Sequence, residues 1–279
     1  MIDHPQQSHR AAPRGQILQP VVEFVSVNRS YTEGDSVRRI LTNFTASIEP
    51  GLTAVVGPSG SGKTSLLNTA GGLDEPDSGI IRVLGQRVPF GDPRALHRFR
   101  AERVSWIFQD RNLIPHMDVR GNVALPLLCA GVPRVQALDR ARDAISRLGL
   151  EDHLSHRPRT LSGGERQRVA FARAAASPAP LILADEPTGS LDAATAEVAL
   201  DELVRLVREL GKSILMVTHS DRAVQRADAA FELSPTGLTP IAAEAAAQAE
   251  PGPDTGLKNG RPSIREAFRA PERTRGVVR

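Results

Sequence analysis

The sequence predicts an α/β fold in which a mostly parallel core sheet is covered by helices on both faces. Three short apolar runs, at residues 53–57 (TAVVG), 181–187 (LILADEP) and 213–219 (SILMVTH), have the length and composition of buried strands. An amphipathic helix is predicted over residues 194–210, between the last two runs, and Gly211 ends it. Strands that alternate with helices form parallel sheets, because a parallel pair needs a long crossover connection.

The chain is predicted to contain one ordered domain between two less ordered ends. Residues 1–20 are polar and contain Pro and Gln, so this N-terminal segment is predicted to be disordered. The ordered domain is expected over residues 21–238. Residues 239–279 are rich in Ala, Pro and Arg, and we expect them to form a flexible tail.

Further elements are predicted within the ordered domain. Residues 21–27 (VVEFVSV) alternate as a strand does, and residues 79–88 (GIIRVLGQRV) are typical of a strand followed by a turn or by a second strand. A helix is predicted near residues 135–148, because five apolar side chains fall on one face at helical spacing. These are Val135, Leu138, Ala141, Ile145 and Leu148.

Composition and charge exclude several classes of protein. Hydrophobic residues make up 40% and charged residues 24%, as in water-soluble globular domains, and no apolar run approaches the ~20 residues of a membrane span. The only cysteine is Cys129, so no disulfide forms within the chain, in agreement with a cytosolic location. Residues 251–279 contain seven Lys/Arg and three Asp/Glu, so the remainder of the chain has a net charge of −1. This balance argues against a nucleic-acid partner.

Residues 57–64 (GPSGSGKT) match the phosphate-loop pattern G-x-x-x-x-G-K-[ST]. The stretch follows a predicted strand and precedes a predicted helix, which is the context that the pattern requires. Its glycines let backbone amides turn inward, Lys63 can reach the outer phosphates of a nucleotide, and the hydroxyl of Thr64 can bind Mg²⁺. The alternative is a glycine-rich turn without a ligand.

Two acidic residues, Asp185 and Glu186, lie at the end of the second apolar run. Carboxylates at the C-terminal end of a parallel strand point into the crevice where ligands bind. Asp185 is therefore expected to hold Mg²⁺, and Glu186 is expected to act as the general base that polarises the attacking water. Taken alone, the two acids could equally well be no more than the end of a strand.

A second glycine-rich helix start lies at residues 161–168 (LSGGERQR), about a hundred residues after the phosphate loop. Bare amides at a helix N-terminus attract anions, so Ser162, Gly163 and Gly164 predict a second phosphate contact. Ser162 and Glu165 also form the S-x-x-E pattern of a capping box, which starts helices without any ligand.

The order GPSGSGKT, WIFQ, LSGGERQR, LILADEP, TGSLD and VTHS resembles the ATP-binding subunit of an ABC transporter, over residues 21–233. The resemblance implies ATP and Mg²⁺ as ligands, an antiparallel β subdomain, and a helical subdomain at about residues 110–176. It also implies that Ser162, Gly163 and Gly164 cover the ATP held by the phosphate loop of a second copy of the chain. The expected assembly is a head-to-tail dimer around two nucleotides.

Individual site residues follow from the same resemblance. Gln109 corresponds to the glutamine that contacts Mg²⁺ and the attacking water, His219 to the switch histidine, Asp192 to the acid at the dimer seam, and Tyr31 to the aromatic residue that stacks on adenine. A polar loop residue, a structural histidine and a core tyrosine are the alternatives for Gln109, His219 and Tyr31. The implied contacts of the phosphate loop are Gly57, Pro58, Ser59, Gly60, Ser61, Gly62, Lys63, Thr64 and Ser65.

Three further stretches are similar to the lipoprotein-release, macrolide-efflux and cell-division branch of this family: NLIPHMDVRGNVALPLL, LADEPTGSLD and MVTHSDRAVQRAD. This implies an ATPase that powers a separate integral membrane permease, of export, lipoprotein-release or drug-efflux type, from the cytoplasmic face of the cell membrane. Two alternatives stay open. One is a subunit that uses nucleotide to transmit force without transport, and the other is a soluble ABC ATPase without a role in transport.

Overall fold

The computed structural model describes residues 19–34 and 36–241, and it confirms the predicted α/β fold. Of the predicted disordered segment, residues 1–20, only residues 19 and 20 are described. Of the predicted tail, residues 239–279, only residues 239–241 are described. The strands are β1 Val22–Glu33, β2 Ser36–Ile48, β3 Leu52–Val56, β4 Ser78–Val83, β5 Gln86–Arg87, β6 Val104–Ile107, β7 Leu181–Asp185, β8 Ser213–Val217, β9 Ala229–Ser234 and β10 Gly237–Pro240. The helices are α1 Lys63–Ala70, α2 Pro93–Arg103, α3 Val119–Cys129, α4 Arg134–Arg147, α5 Gly163–Ala176, α6 Ala193–Leu210 and α7 Asp221–Arg226, with short 3₁₀ turns at Glu151–His153 and Pro158–Thr160.

The larger sheet has six strands in the order β10-β9-β3-β8-β7-β6. Strands β9, β3, β8, β7 and β6 are parallel, and only β10 pairs antiparallel, with β9. Alternate residues of β3 enter two different hydrophobic clusters, with Ala54 on one side of the sheet and Val55 on the other. Both faces of the sheet are therefore buried, which explains the continuously apolar strands of the sequence.

The smaller sheet is antiparallel, with the strand order β2-β1-β4-β5. Its inner face packs in one cluster with α1 and α2, and the rings of Phe24 and Phe44 meet edge to face there at 5.3 Å between centroids. This sheet is the antiparallel subdomain that the family resemblance implies. It brings the long β1–β2 hairpin close to the N-terminal end of α1, as the contact between Arg38 and Gly60 shows.

Helices α3, α4 and α5 pack together and form the helical subdomain. The face of α4 that enters the core carries Ala137, Ala141, Ala144 and Ile145, all of them buried. Val135, which periodicity places on this face, is instead 72% exposed. It stands in the first turn of the helix, where the described residues leave most of its side chain uncovered.

The last described strand runs past residue 238, and the predicted boundary of the ordered domain at that residue stays a prediction. Strand β10 runs to Pro240, and Ile241 packs against the hydrophobic cluster that contains Ala54, with its backbone N–H donating to the carbonyl of Ala230 at 2.9 Å. None of the helices in the described part of the chain is long and apolar enough to cross a membrane.

Candidate active site

The phosphate loop lies between the end of β3 and the start of α1, as the sequence pattern requires. Gly60 and Gly62 have backbone φ angles of 78° and 99°, in the left-handed region that favours glycine. Gly62 is the N-cap of α1, and no side chain caps the helix there. The first amides of α1 are therefore available to a phosphate group.

Lys63 is the best-enclosed charge of the site, with 8% of its surface exposed. Its Nζ donates hydrogen bonds to the carbonyls of Gly57 at 2.7 Å and Pro58 at 3.1 Å, and it lies 3.0 Å from Nε2 of His219. An ammonium group can only donate, so this Nε2 is the acceptor. The loop thus holds the cation in place with neutral acceptors, which leaves its positive charge available for an anion.

Thr64 and Asp185 lie together although 121 positions separate them in the sequence. The hydroxyl of Thr64 donates to the carboxylate of Asp185 at 3.0 Å. Burial raises the pKa of Asp185, while the hydrogen bond from Thr64 and the charge of Lys63 act in the opposite direction. A hydroxyl and a carboxylate oxygen at this separation are the ligand types that Mg²⁺ prefers.

Glu186 has a strained backbone, with φ at +42° in the left-handed region. Its N–H continues the pairing of β7 with β8 by donating to the carbonyl of Val217 at 3.0 Å. Oε2 accepts from the backbone N–H of His219 at 3.2 Å, whereas Oε1 is buried and has no hydrogen-bond partner among the described residues. A buried carboxylate oxygen without a donor is well suited to accept a proton from a water molecule.

These groups line one cleft of about 730 Å³. Gln109, which follows β6, lies on its wall, so the structure brings together the glutamine, both acids, the histidine and the phosphate loop. Arg38, Ile40 and Gly189 also belong to this wall, although no sequence pattern marks them as site residues. The full lining is Tyr31, Arg38, Ile40, Ser59, Gly60, Gly62, Lys63, Thr64, Ser65, Gln109, Asp185, Glu186, Gly189 and His219.

Tyr31 stands at the cleft and is fixed in position. Its hydroxyl contacts the carboxylate of Asp74 at 2.7 Å and the hydroxyl of Ser65 at 3.2 Å. The guanidinium of Arg29 lies over the ring, 4.4 Å from its centroid. Tyr31 is partly buried and lies on the cleft wall. Stacking of its ring on adenine stays a prediction.

Ser162, Gly163 and Gly164 line a different cavity, of about 370 Å³, together with Asp192. The residues that line this cavity and those that line the first cleft have no member in common. The capping box is also present: the N–H of Glu165 donates to Oγ of Ser162 at 3.3 Å, and the N–H of Ser162 donates to the Glu165 carboxylate at 2.7 Å.

Asp192 begins helix α6 in a similar way. Its carboxylate accepts from the backbone N–H of Thr195 at 3.0 Å and from the Thr195 hydroxyl at 2.7 Å. These hydrogen bonds lower the pKa of Asp192. Ser162 and Asp192 are thus two helix-capping residues at the mouth of the same cavity.

A side-chain bridge that the sequence gives no sign of connects three parts of the site. Arg111, two residues after Gln109, donates from Nε to Oε1 of Gln167 on α5 at 3.0 Å and from Nη2 to Oγ of Ser190 at 2.6 Å. Gln167 is almost fully buried and donates in turn to the carbonyl of Pro187 at 2.5 Å. The loop after Gln109, the helix that follows Ser162 and the segment that follows Glu186 are therefore joined.

The backbone at this bridge is itself unusual. Arg111 and Asn112 have φ angles of 63° and 44°, and both carbonyls accept from the guanidinium of Arg173, each at 2.7 Å. Burial lowers the pKa of Arg173. Sequence spacing could not reveal this contact, because 61 or 62 positions separate the partners and neither residue type is specific to a motif.

Comparison with known proteins places this site in a family. The profile described as ABC transporter matches residues 41–189, more than half of the chain. The lipoprotein-releasing system ATP-binding protein LolD of Maricaulis maris is 40% identical over 221 residues, which are 79% of this chain and 96% of that protein. The macrolide export ATP-binding/permease protein MacB of Shigella flexneri is 41% identical over 217 residues, 77% of this chain but 33% of that longer protein.

Among solved structures, the ATP-binding cassette MJ0796, a dimer in a post-hydrolysis state bound to ADP and phosphate, superposes with a TM-score of 0.71. It is 33% identical, and the match covers 78% of this chain and 96% of that one. Sequence profile, relatives and fold agree, and the chain belongs to the ABC transporter family.

Proposed function

We propose that the chain is an ATP-hydrolysing subunit that acts as a head-to-tail dimer and drives a separate membrane permease of export or lipoprotein-release type. Membership of the ABC transporter family supports ATP binding and hydrolysis. The names of the relatives, lipoprotein release and macrolide export, support the type of transport. A location at the inner face of the cell membrane follows from a membrane partner.

The observation that supports the proposed dimer is the separation between the two helix starts that are predicted to bind phosphate. Lys63 and the amides of α1 face one cleft, whereas Ser162, Gly163 and Gly164 face another cavity. One chain therefore presents two different halves of a site, and they do not face each other. Two chains related by a two-fold axis would complete both sites, because each would offer its second cavity to the other's first cleft.

Within each site the described residues have distinct tasks. Lys63 neutralises charge on the outer phosphates, and Oε1 of Glu186 takes a proton from the attacking water. The backbone N–H of His219 holds the other oxygen of Glu186, which orients the carboxylate. Thr64 and Asp185, with Gln109 nearby, would hold Mg²⁺, which supplies charge neutralisation when it is bound with ATP.

An apolar groove offers a contact surface for the membrane partner. It has a volume of about 370 Å³, and its walls include Trp106, Phe108, Leu125 and Pro126. Phe108 lies on this groove and stacks against Trp106 at 5.0 Å, and the next residue, Gln109, lies on the nucleotide cleft. A partner in the groove would therefore contact the residue adjacent to one wall of the ATPase site.

Affinity purification of the full chain from membranes tests the proposal. A co-purifying multi-span membrane protein, together with ATPase activity of the complex, is the expected result. A ribosomal or DNA-repair partner would instead support a soluble ABC ATPase. A membrane partner that stimulates hydrolysis without any transport in vesicles would support a subunit that transmits force.

A further inference from the structure

We propose that Arg38 is a second phosphate-binding cation of the nucleotide cleft, reaching the phosphate chain of ATP from β2 while Lys63 reaches it from α1. The inference rests on the proposed nucleotide site and names one more residue that binds its ligand. The ligand class is a nucleoside di- or triphosphate. An uncharged nucleoside would gain nothing from this residue.

Strand pairing places Arg38 next to the predicted base-stacking residue. In the antiparallel β1–β2 hairpin, Arg38 lies directly opposite Tyr31, and Arg39 lies opposite Ser30. Residues directly opposite each other in an antiparallel pair point to the same face of the sheet, and the next pair points to the other face. Arg38 and Tyr31 both line the nucleotide cleft, and Arg39 is not among its lining residues.

The side chain of Arg38 reaches the phosphate loop itself. Its Nη2 donates to the carbonyl of Gly60 at 2.7 Å. A Cβ added to Gly60 would lie 2.7 Å from the same nitrogen, so the guanidinium rests against the glycine backbone. A guanidinium has five N–H donors, and the bond to Gly60 occupies one of them. The remaining donors are therefore free to bind a ligand beside the phosphate loop, in the cleft that Arg38 and Tyr31 both line.

The charge balance of the cleft favours an anion-binding role. Among the described residues that line it, the permanent cations are Arg38 and Lys63, and the carboxylates are Asp185 and Glu186. Without Arg38 the carboxylates would outnumber the cations around a ligand that is itself strongly negative. Arg38 is exposed, so its effect is screened by salt, but its planar fork suits phosphate oxygens.

The test is nucleotide affinity of the full chain, measured by fluorescence titration with ATP, ADP and adenosine. Arg38→Gln keeps a polar side chain with N–H donors and removes the charge. We expect it to weaken ATP and ADP binding about fivefold to tenfold, with adenosine binding unchanged. Arg38→Lys keeps the charge and should recover part of the loss. Arg39→Gln is the matched control, and it should bind all three ligands as the wild type does.

Two results would overturn the assignment. If Arg38→Gln binds ATP as tightly as the wild type, Arg38 does not contact the phosphates. If Arg38→Gln and Arg38→Lys lose ATP, ADP and adenosine equally, Arg38 only supports the hairpin. Failure of the proposed function is a separate observation, because in that case the wild-type chain would bind neither ATP nor ADP.

Discussion

The dual position of Ser162, as a helix cap and as a predicted contact to the partner's ATP, allows the two roles to be separated by substitution. Asn, Asp and Ser are about equally good N-cap residues, because each has a side-chain oxygen that accepts a backbone N–H. Ser162→Asn and Ser162→Asp should therefore both preserve helix α5, whose cap bond from Glu165 measures 3.3 Å. The two variants differ by one negative charge at nearly constant size.

The size of the expected effect follows from Coulomb's law. A carboxylate about 4 Å from a phosphate charge, at an effective dielectric constant of about 20, is repelled by about 4 kcal/mol. This corresponds to about a thousandfold in the dimerisation constant for each composite site. The free energy of unfolding of the monomer should change by less than about 1 kcal/mol in both variants, because the cap is retained.

The assay is light scattering at fixed protein concentration, in a Glu186→Gln background. Gln has the shape of Glu but cannot act as the base, so bound ATP should persist. We expect an ATP-dependent dimer for the parent and Ser162→Asn, a monomer for Ser162→Asp, and mostly monomer for all three with ADP. ATP binding to the monomer, measured by titration, should be unaffected. An undiminished ATP dimer of Ser162→Asp would refute the reasoning and leave residues 162–164 with only a capping role.

Three other predictions concern catalysis and stability. Lys63→Ala should lower steady-state phosphate release about a hundredfold to a thousandfold, because one positioned charge on a phosphoryl group contributes about 3–4 kcal/mol; near-normal turnover would remove Lys63 from the mechanism. Truncation after Leu238 should lower the Tm by about 4–8 °C relative to truncation after Ile241. The shorter chain loses part of β10 and the packing of Ile241, which together contribute about 2 kcal/mol to the free energy of unfolding. Equal Tm values would show that these residues do not stabilise the domain. Burial lowers the pKa of Lys212 to about 7, and its Nζ donates to the carbonyls of Ala174 and Ser177. Between about pH 7 and pH 10 the unfolded chain therefore binds a proton at Lys212 that the folded chain does not. The free energy of unfolding of the wild type, measured by urea titration, should thus rise with pH relative to that of Lys212→Met. A difference between the two proteins that does not change with pH would contradict this.

The sequence predicted the elements that periodicity and local context control. The buried strands β3, β7 and β8 and helix α6 appear within a residue or two of their expected positions, because continuous apolar runs and amphipathic spacing determine them locally. Val135 was misplaced because helical spacing cannot show which turn of a helix lacks a packing neighbour. Arg38 and Arg111 were not identified as site residues because an arginine carries no local pattern, and their partners lie far away along the chain.

The sequence by itself determined the chemistry: a phosphate loop ending in Lys63 and Thr64, two acids at a strand end, and a second glycine-rich helix start. Each depends on residue types at fixed short spacing, because the local backbone conformation alone places such residues next to one another. Only the tertiary structure decided which of these groups share a cleft. Parallel pairing of β3, β7 and β8 brings Lys63, Asp185 and His219 to one edge of the sheet, while the packing of α5 against α3 and α4 places Ser162 at a separate cavity. Contacts over such sequence distances arise from the burial of both sheet faces, because that burial fixes the strand order and with it the neighbours of every side chain at the sheet edge.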